Sequence, residues 1–330
     1  MHLIKLQIIK YPLKYSFIVV VIIFILASMA ISETVPDPDS LEAKISKLMY
    51  EISKKPAIEP TDFTEKALLI MVTNIIKSKP KSIWTANEYF CMAFNSFISG
   101  EYEHAIEYYT DGLKLDPYYI DGYYYRGSAR SIKSEYITAI EDYNKVLELR
   151  PNDIYALNGR GIAKGNIGDY SGAVNDFEIA IQIKPDVSEI YTNRANQKSK
   201  LGDYNGAIDD YKIALKCNPS SYIIPIIYYN IGYAEYGKGN LLGALENYII
   251  AIDLKSDYAD AHFNIGFVYF KLGIYRNALP EFDNAIKYYG ENRKGSSVAY
   301  YYRYLTNKEL GNYIDAKRDI DKSKELGYEE

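Results

Sequence analysis

The stretch Ile154–Val187, IYALNGRGIAKGNIGDYSGAVNDFEIAIQIKPDV, decides how the rest of the chain is read, because the next 34 residues repeat its landmarks in phase. In the first stretch the landmarks are Gly161, Gly168, Tyr170, Ala173, Phe177, Ala180 and Pro185; in the second they are Ala195, Gly202, Tyr204, Ala207, Tyr211, Ala214 and Pro219. Upstream, a copy from Ala86 supplies Ala93, Gly100, Tyr102, Ala105, Tyr109 and Pro117. The copy from Ile120 supplies Gly127, Tyr136, Ala139, Tyr143 and Pro151, with Ser134 in place of the turn glycine. Three later copies lose the closing proline: Gly232, Gly239, Ala244, Tyr248, Ala251; then Gly266, Gly273, Tyr275, Ala278, Phe282, Ala285; then Gly311, Tyr313, Ala316. Seven copies start near residues 86, 120, 154, 188, 225, 259 and 297. A period of this length signals stacked helical units, each able to bury its apolar face only against its neighbours.

Each landmark has a physical task. Gly or Ala lets two helices approach closely, and the aromatic fills the gap beside them. The turn glycine ends the first helix in a left-handed conformation, and proline stops the second. On these residues the chain resembles the tetratricopeptide repeat over 86–330, about three quarters of its length. The resemblance implies an all-α fold, a right-handed superhelical solenoid of antiparallel helix pairs, and a protein-binding scaffold in place of an enzyme.

The phase slips by three residues after Pro219 and by four between the sixth and seventh copies, and the stretches Ser220–Ile224 and Gly290–Ser296 are expected to absorb the insertions as loops. The seventh copy departs from pattern, with Tyr304 at the small site and Ile320 and Ser323 where an aromatic and Ala belong. Its second helix is rich in charge, as suits the end of an open stack.

Composition excludes several function classes. The chain is 48% apolar and 25% charged, with a net charge of −5, and lacks the basic stripe of a nucleic-acid binder. Cys91 and Cys217 lie three repeats apart and read as unpaired. His2, His104 and His262 have no metal-ligand spacing, and no glycine loop cradles a phosphate. Asp and Glu recur at repeat positions, as solvated helix faces do. No catalytic residue, metal or cofactor is expected.

The N-terminus differs. Lys5, Lys10 and Lys14 precede an apolar run from Phe17 to Ala27, followed by Ser28-Met29-Ala30. Residues 1–30 therefore read as a signal peptide, or as an uncleaved anchor through residues 17–31. Lys before the run and Glu33, Asp37 and Asp39 after it place the repeats outside the cytoplasm, in the periplasm or cell envelope. Membrane contact would come only through an uncleaved segment. Residues 31–60 read as a linker with one amphipathic helix, 41–53, and 61–85 as a second helix, 62–78, with its connection. The two helices form either a degenerate eighth hairpin or a cap on the first repeat.

Two constellations stand out. Arg126, Arg160, Arg194 and Arg303 precede the small site in four repeats, and 16 residues later those four carry Asp142, Asp176, Asp210 and Asp319. The other three lack both, with Met92, Ile231 and Ile265 opposite Tyr108, Asn247 and Glu281. This matched loss points to an ion pair joining the helices of a hairpin; a basic ligand site would leave each Arg already neutralised.

The second constellation is aromatic. The fifth, ninth and twelfth positions share one stripe of the first helix: Phe90, Phe94 and Phe97, then Tyr229, Tyr233 and Tyr236, then Phe263, Phe267 and Phe270. The middle copies carry Tyr124, Ser128 and Ser131, Asn158, Ile162 and Gly165, and Thr192, Asn196 and Ser199 there. One reading packs these rings against neighbouring repeats. The other follows the resemblance: that family binds peptides on its inner wall, and Asn193, Asn230 and Asn264 hold the sixth position, where related repeats use Asn to grip a peptide backbone. No repeat has Lys or Arg at its second position, so the basic clamp some relatives use for a C-terminal carboxylate is missing. The function implied is a scaffold binding a peptide segment through Tyr229, Asn230, Tyr233, Tyr236, Phe263, Asn264, Phe267, Phe270 and Asn193. The alternative is an assembly or recruiting factor for an envelope or secretion complex that itself contains an enzyme.

N-terminal sequencing of the native protein is expected to begin just after Ala30; a Met1 start in a carbonate-resistant membrane fraction would establish the anchor instead.

Overall fold

A computed structural model describes residues 73–74, 76–290 and 294–329, so the expectations for 1–30 and 31–60, and for most of 61–85, lie outside the described residues. Among these, a short 3-10 turn at Lys81–Ile83 precedes fourteen α-helices and there is no strand. In chain order they are α1 Ala86–Ile98, α2 Tyr102–Leu115, α3 Ile120–Ile132, α4 Tyr136–Leu149, α5 Ile154–Asn166, α6 Tyr170–Ile183 and α7 Ser188–Lys200. They continue as α8 Tyr204–Lys216, α9 Ile224–Gly237, α10 Leu241–Leu254, α11 Ala259–Lys271, α12 Tyr275–Tyr289, α13 Lys294–Glu309 and α14 Tyr313–Glu325. Two compact units divide at Ile167 and Gly168. In the first, α1 packs on α2 and α3 on α4, with α5 against α4. In the second, α6 lies on α7, and α7/α8, α9/α10, α11/α12 and α13/α14 are the tightest pairs.

Helix ends follow from local chemistry. A capping box opens α1, where the Thr85 side chain accepts from the Glu88 N–H and Glu88 accepts from the Thr85 N–H. Asp169, Asp203 and Asn240 cap α6, α8 and α10. Between the helices of a pair the chain turns through positive φ at Gly100, Gly168, Gly202, Gly239, Gly273 and Gly311. Ser134 takes φ 66° in the copy without the glycine, a left-handed conformation that costs an L-residue about 1–2 kcal/mol. At six of these turns, each within a unit, the next N–H reaches back five residues to a helix carbonyl, as Glu101 to Ser96 and Asp203 to Lys198 do. The closing proline is dispensable: α10 runs 14 residues and stops at Leu254 with Ser256 in the proline's place.

The core of each pair is one contact. The second-helix aromatic lies under the small residue of the first helix, and Tyr109, Tyr143, Tyr211, Tyr248 and Phe282 are each at most 3% exposed. A Cβ added to Gly232 would sit 2.7 Å from the Tyr248 ring, and one on Gly266 2.9 Å from Phe282. Only hydrogen fits there. At this packing density a side chain that leaves a void or overfills the space costs several kcal/mol.

One expectation needs correction. Of the stretch Gly290–Ser296, expected to absorb the four-residue insertion as a loop, Lys294–Ser296 already belong to α13. Helix α12 runs 15 residues and α13, starting at Lys294, runs 16. Ser296 and Ser297 are buried and donate to the Gly290 and Lys294 carbonyls, so both hydroxyls are satisfied at the start of α13.

Candidate functional site

The four Arg–Asp positions are placed as follows. Arg126 grips Asp142 with Nη2 at 2.7 Å and Nε at 3.1 Å. Arg194 grips Asp210 at 2.6 and 2.8 Å, and Arg303 grips Asp319 at 2.5 and 3.0 Å. The three acids are nearly fully buried, and a second donor helps each: Arg130 at 2.8 Å, Lys198 at 2.9 Å and the Asn307 amide at 2.9 Å. Asp176 is also wholly buried. It belongs to the second unit, whereas Arg160 belongs to the first and donates to Asn144 Oδ1 at 2.7 Å.

Sequence reading missed a further partner. The remaining guanidinium nitrogen reaches the twenty-fifth position of the preceding repeat: Arg126 to Thr110 at 3.1 Å, Arg160 to Asn144, Arg194 towards Glu178 at 3.9 Å, and Arg303 to Asp283 at 2.6 Å. The signal was present as a polar residue 16 before each Arg, or 20 before Arg303, where the four-residue slip intervenes. A planar fork with five donors can serve two helices at once.

The sixth repeat replaces the pair. Glu281 holds the Asp position, and its cation is His262, one turn before Ile265. Nδ1 of this buried ring lies 2.6 Å from Glu281 and Nε2 lies 3.0 Å from the Ser256 carbonyl oxygen. Both partners are acceptors, so the geometry suits a ring carrying both protons. Burial pushes the His262 pKa down, but hydrogen bonds from the ring to Glu281 and to the Ser256 carbonyl, with the Glu281 charge, outweigh it and raise it.

The aromatic stripe divides between core and surface. In the first unit Phe90 and Phe94 are buried. Phe90 stacks on Tyr119 at 4.0 Å, and Phe94 and Phe97 meet Tyr125 at 5.4 and 5.5 Å. These rings are structural.

In the second unit Tyr229 packs on Tyr258 at 5.0 Å and accepts a hydrogen bond from Asn264. Phe263, Phe267 and Phe270 gather around Tyr302 of α13 at 5.8, 5.0 and 5.8 Å, and Tyr236 lies 5.8 Å from Phe267. All five remain half-buried. Tyr233 is 48% exposed and, among the described residues, has no hydrogen bond or ring contact. Tyr302 joins the set unpredicted, because it holds the sixth position of its copy, outside the stripe of fifth, ninth and twelfth positions.

The three asparagines diverge. Asn193 is buried. Asn230 donates to Asn196 Oδ1 at 3.3 Å, an oxygen that also accepts from the Tyr211 hydroxyl. Asn264 holds Tyr229. Asn230 and Asn264 thus spend an amide N–H within the fold. Cys91 and Cys217 are both free thiols. Among the described residues no three His, Cys, Asp or Glu side chains gather as a metal site, and no helix is long and apolar enough to cross a membrane.

Comparison with known proteins adds to this geometry. A family model described as TPR repeat matches residues 232–273, and one described as tetratricopeptide repeat matches 97–119. A solved tetratricopeptide repeat protein from Parabacteroides merdae is 17% identical over 74% of this chain and 94% of its own, with a TM-score of 0.59. The C-terminal part of a TPR repeat-containing protein from Cytophaga hutchinsonii is 15% identical over 72% of this chain and 95% of its own, with a TM-score of 0.57. The pilF protein of Pseudomonas aeruginosa is 15% identical over 63% and 91%, with a TM-score of 0.54. At such identity these likenesses show the fold alone. No curated protein matches the chain.

Removing a buried acid while leaving its cations is costly, so Asp210→Ala is expected to lower stability by about 3 kcal/mol in urea unfolding. A double-mutant cycle on Arg194→Met and Asp210→Asn is expected to show coupling above about 1 kcal/mol; a coupling near zero would show the two side chains to act independently. For His262 the folded pKa lies above the unfolded value, so its stabilisation is complete below about pH 6.5 and is lost as pH rises through the folded pKa. The melting-temperature advantage of the unaltered chain over His262→Gln is therefore expected to shrink between about pH 6 and pH 9.

Proposed function

The chain is a tetratricopeptide repeat protein, and on that premise we propose that it is a non-catalytic scaffold that holds a peptide segment of a protein partner across α9, α11 and α13. The observation that carries this reading is the half-exposed ribbon of Tyr233, Tyr236, Phe263, Phe267, Phe270 and Tyr302 along consecutive first helices. Large rings bury much area at small entropic cost, and contiguous apolar patches of this kind mark interaction sites. The first-repeat rings at the same positions are closed over by Tyr119 and Tyr125 and leave no such ribbon. Tyr233 would be the anchor, and Phe267 the floor. The charge asymmetry about the N-terminal apolar run supports a working place outside the cytoplasm.

Tyr233 offers the cleanest test, since its ring supports nothing else. With a peptide selected from a display library for binding to the full chain, Tyr233→Ala is expected to weaken affinity by about tenfold, roughly 1.4 kcal/mol, and to leave the melting temperature unchanged. Phe267→Ala is expected to lower both, because it removes the Tyr302 contact as well. Equal affinity for the peptide in both folded variants would place the binding face elsewhere.

A further inference from the structure

At the end of this face where the first helices begin, a cleft of about 240 Å³ opens between α9, α11, α12 and α13. Its walls include the rings of Tyr229, Phe263 and Tyr289, the Val298 side chain, the Asn264 amide and the carboxylate of Asp260. The Tyr289 hydroxyl donates to Asp260 Oδ1 at 2.5 Å, and Asn264 donates to the Tyr229 hydroxyl at 3.1 Å, so both rings are held in place. Burial, reinforced by the nearby Asp260 charge, pushes the Tyr289 and Tyr229 hydroxyls well above their usual range and keeps them neutral donors.

Asp260 is unlike three other acids of the same unit, each of which meets a cation. Asp210 meets Arg194 and Lys198, Asp319 meets Arg303, and Glu281 meets His262. Among the described residues Asp260 has no ion-pair partner, and Lys255 lies over the Tyr258 ring at 5.2 Å instead. A carboxylate with one hydrogen bond and no counter-ion among the described residues, in a cleft lined by three aromatic residues, is complementary to a cation.

We propose that this cleft receives the basic side chain, lysine or arginine, of the partner segment lying on α9 and α11. The proposal rests on that face being the binding face and adds to it the chemical class of one partner residue. The aliphatic stem would lie along Phe263 and Val298, with the charged head between Tyr229 and Tyr289 against the free oxygen of Asp260.

A small probe tests the cleft independently of any peptide. Titrating n-butylguanidinium chloride and its neutral isostere n-butylurea into the full chain, with valine methyls labelled for NMR, reads binding at Val298. The cation is expected to bind about tenfold more tightly than the urea, and the preference is expected to vanish in Asp260→Asn, whose amide oxygen can still accept from Tyr289. The two-probe comparison on the unaltered chain stands even if that variant unfolds. Equal response to both probes, or a preference that survives Asp260→Asn, would overturn the proposal. A preference that appears only in Arg293→Gln would overturn it too, by showing that the chain's own arginine occupies the cleft. The two readings fail separately. If selected peptides bind the face yet show no loss on replacing their basic residues with citrulline or norleucine, the cleft fails and the scaffold stands; if the cation preference holds while Tyr233→Ala leaves peptide binding intact, the cation site stands and the groove reading fails.

Discussion

Everything in this structure depends on a ring lying against a residue too small to resist it. Where the two helices of a pair cross, Gly232 and Gly266 leave no room for a Cβ because Tyr248 and Phe282 already fill the space. The contact fixes the distance between helices, and the left-handed turn between them fixes their antiparallel course. A pair so built has an unsatisfied apolar flank, which the next pair covers. Helix-stopping proline is secondary, as α10 demonstrates by ending without one.

A second layer of bonding is electrostatic. Each of the four arginines spends one side of its guanidinium beyond its own repeat, on the twenty-fifth position of the repeat before, and three of them grip an acid in their own hairpin with the other. The packing contact is nondirectional, so it permits sliding; a fork bonded at fixed angles to two helices sets register. His262 does the equivalent work in the sixth repeat with a titratable group, which makes that one joint sensitive to pH.

The aromatic face is built from contacts between first helices of successive repeats. Tyr302, at the sixth position of its copy, meets Phe263, Phe267 and Phe270, as Tyr125 meets Phe94 and Phe97 in the first unit. Within the sixth copy Tyr289 lies against Asp260. The same two repeat positions meet in the second copy, where Arg150 holds Asp121 at 3.2 Å; in the sixth a neutral tyrosine stands in place of that arginine, so the acid keeps its charge without a counter-ion among the described residues.

What the sequence by itself determined is whatever recurs. The small residue, the turn glycine and the aromatic were legible because each recurs in at least six of the seven copies, and the Arg to Asp spacing because four copies share it and three lack both members. The grip of Arg126, Arg194 and Arg303 on their acids lies at the expected positions. What only the tertiary structure decided is how much of each ring remains in contact with water. Phe90 and Tyr229 hold the same repeat position, yet Phe90 is sealed under Tyr119, while Tyr229 lines a cleft. Exposure depends on the neighbouring repeat's side chains, and periodicity along one helix carries no information about them. The asparagines show the same limit: Asn230 turns to Asn196 and Asn264 to Tyr229 because those partners stand one repeat away, within reach only after the helices have packed.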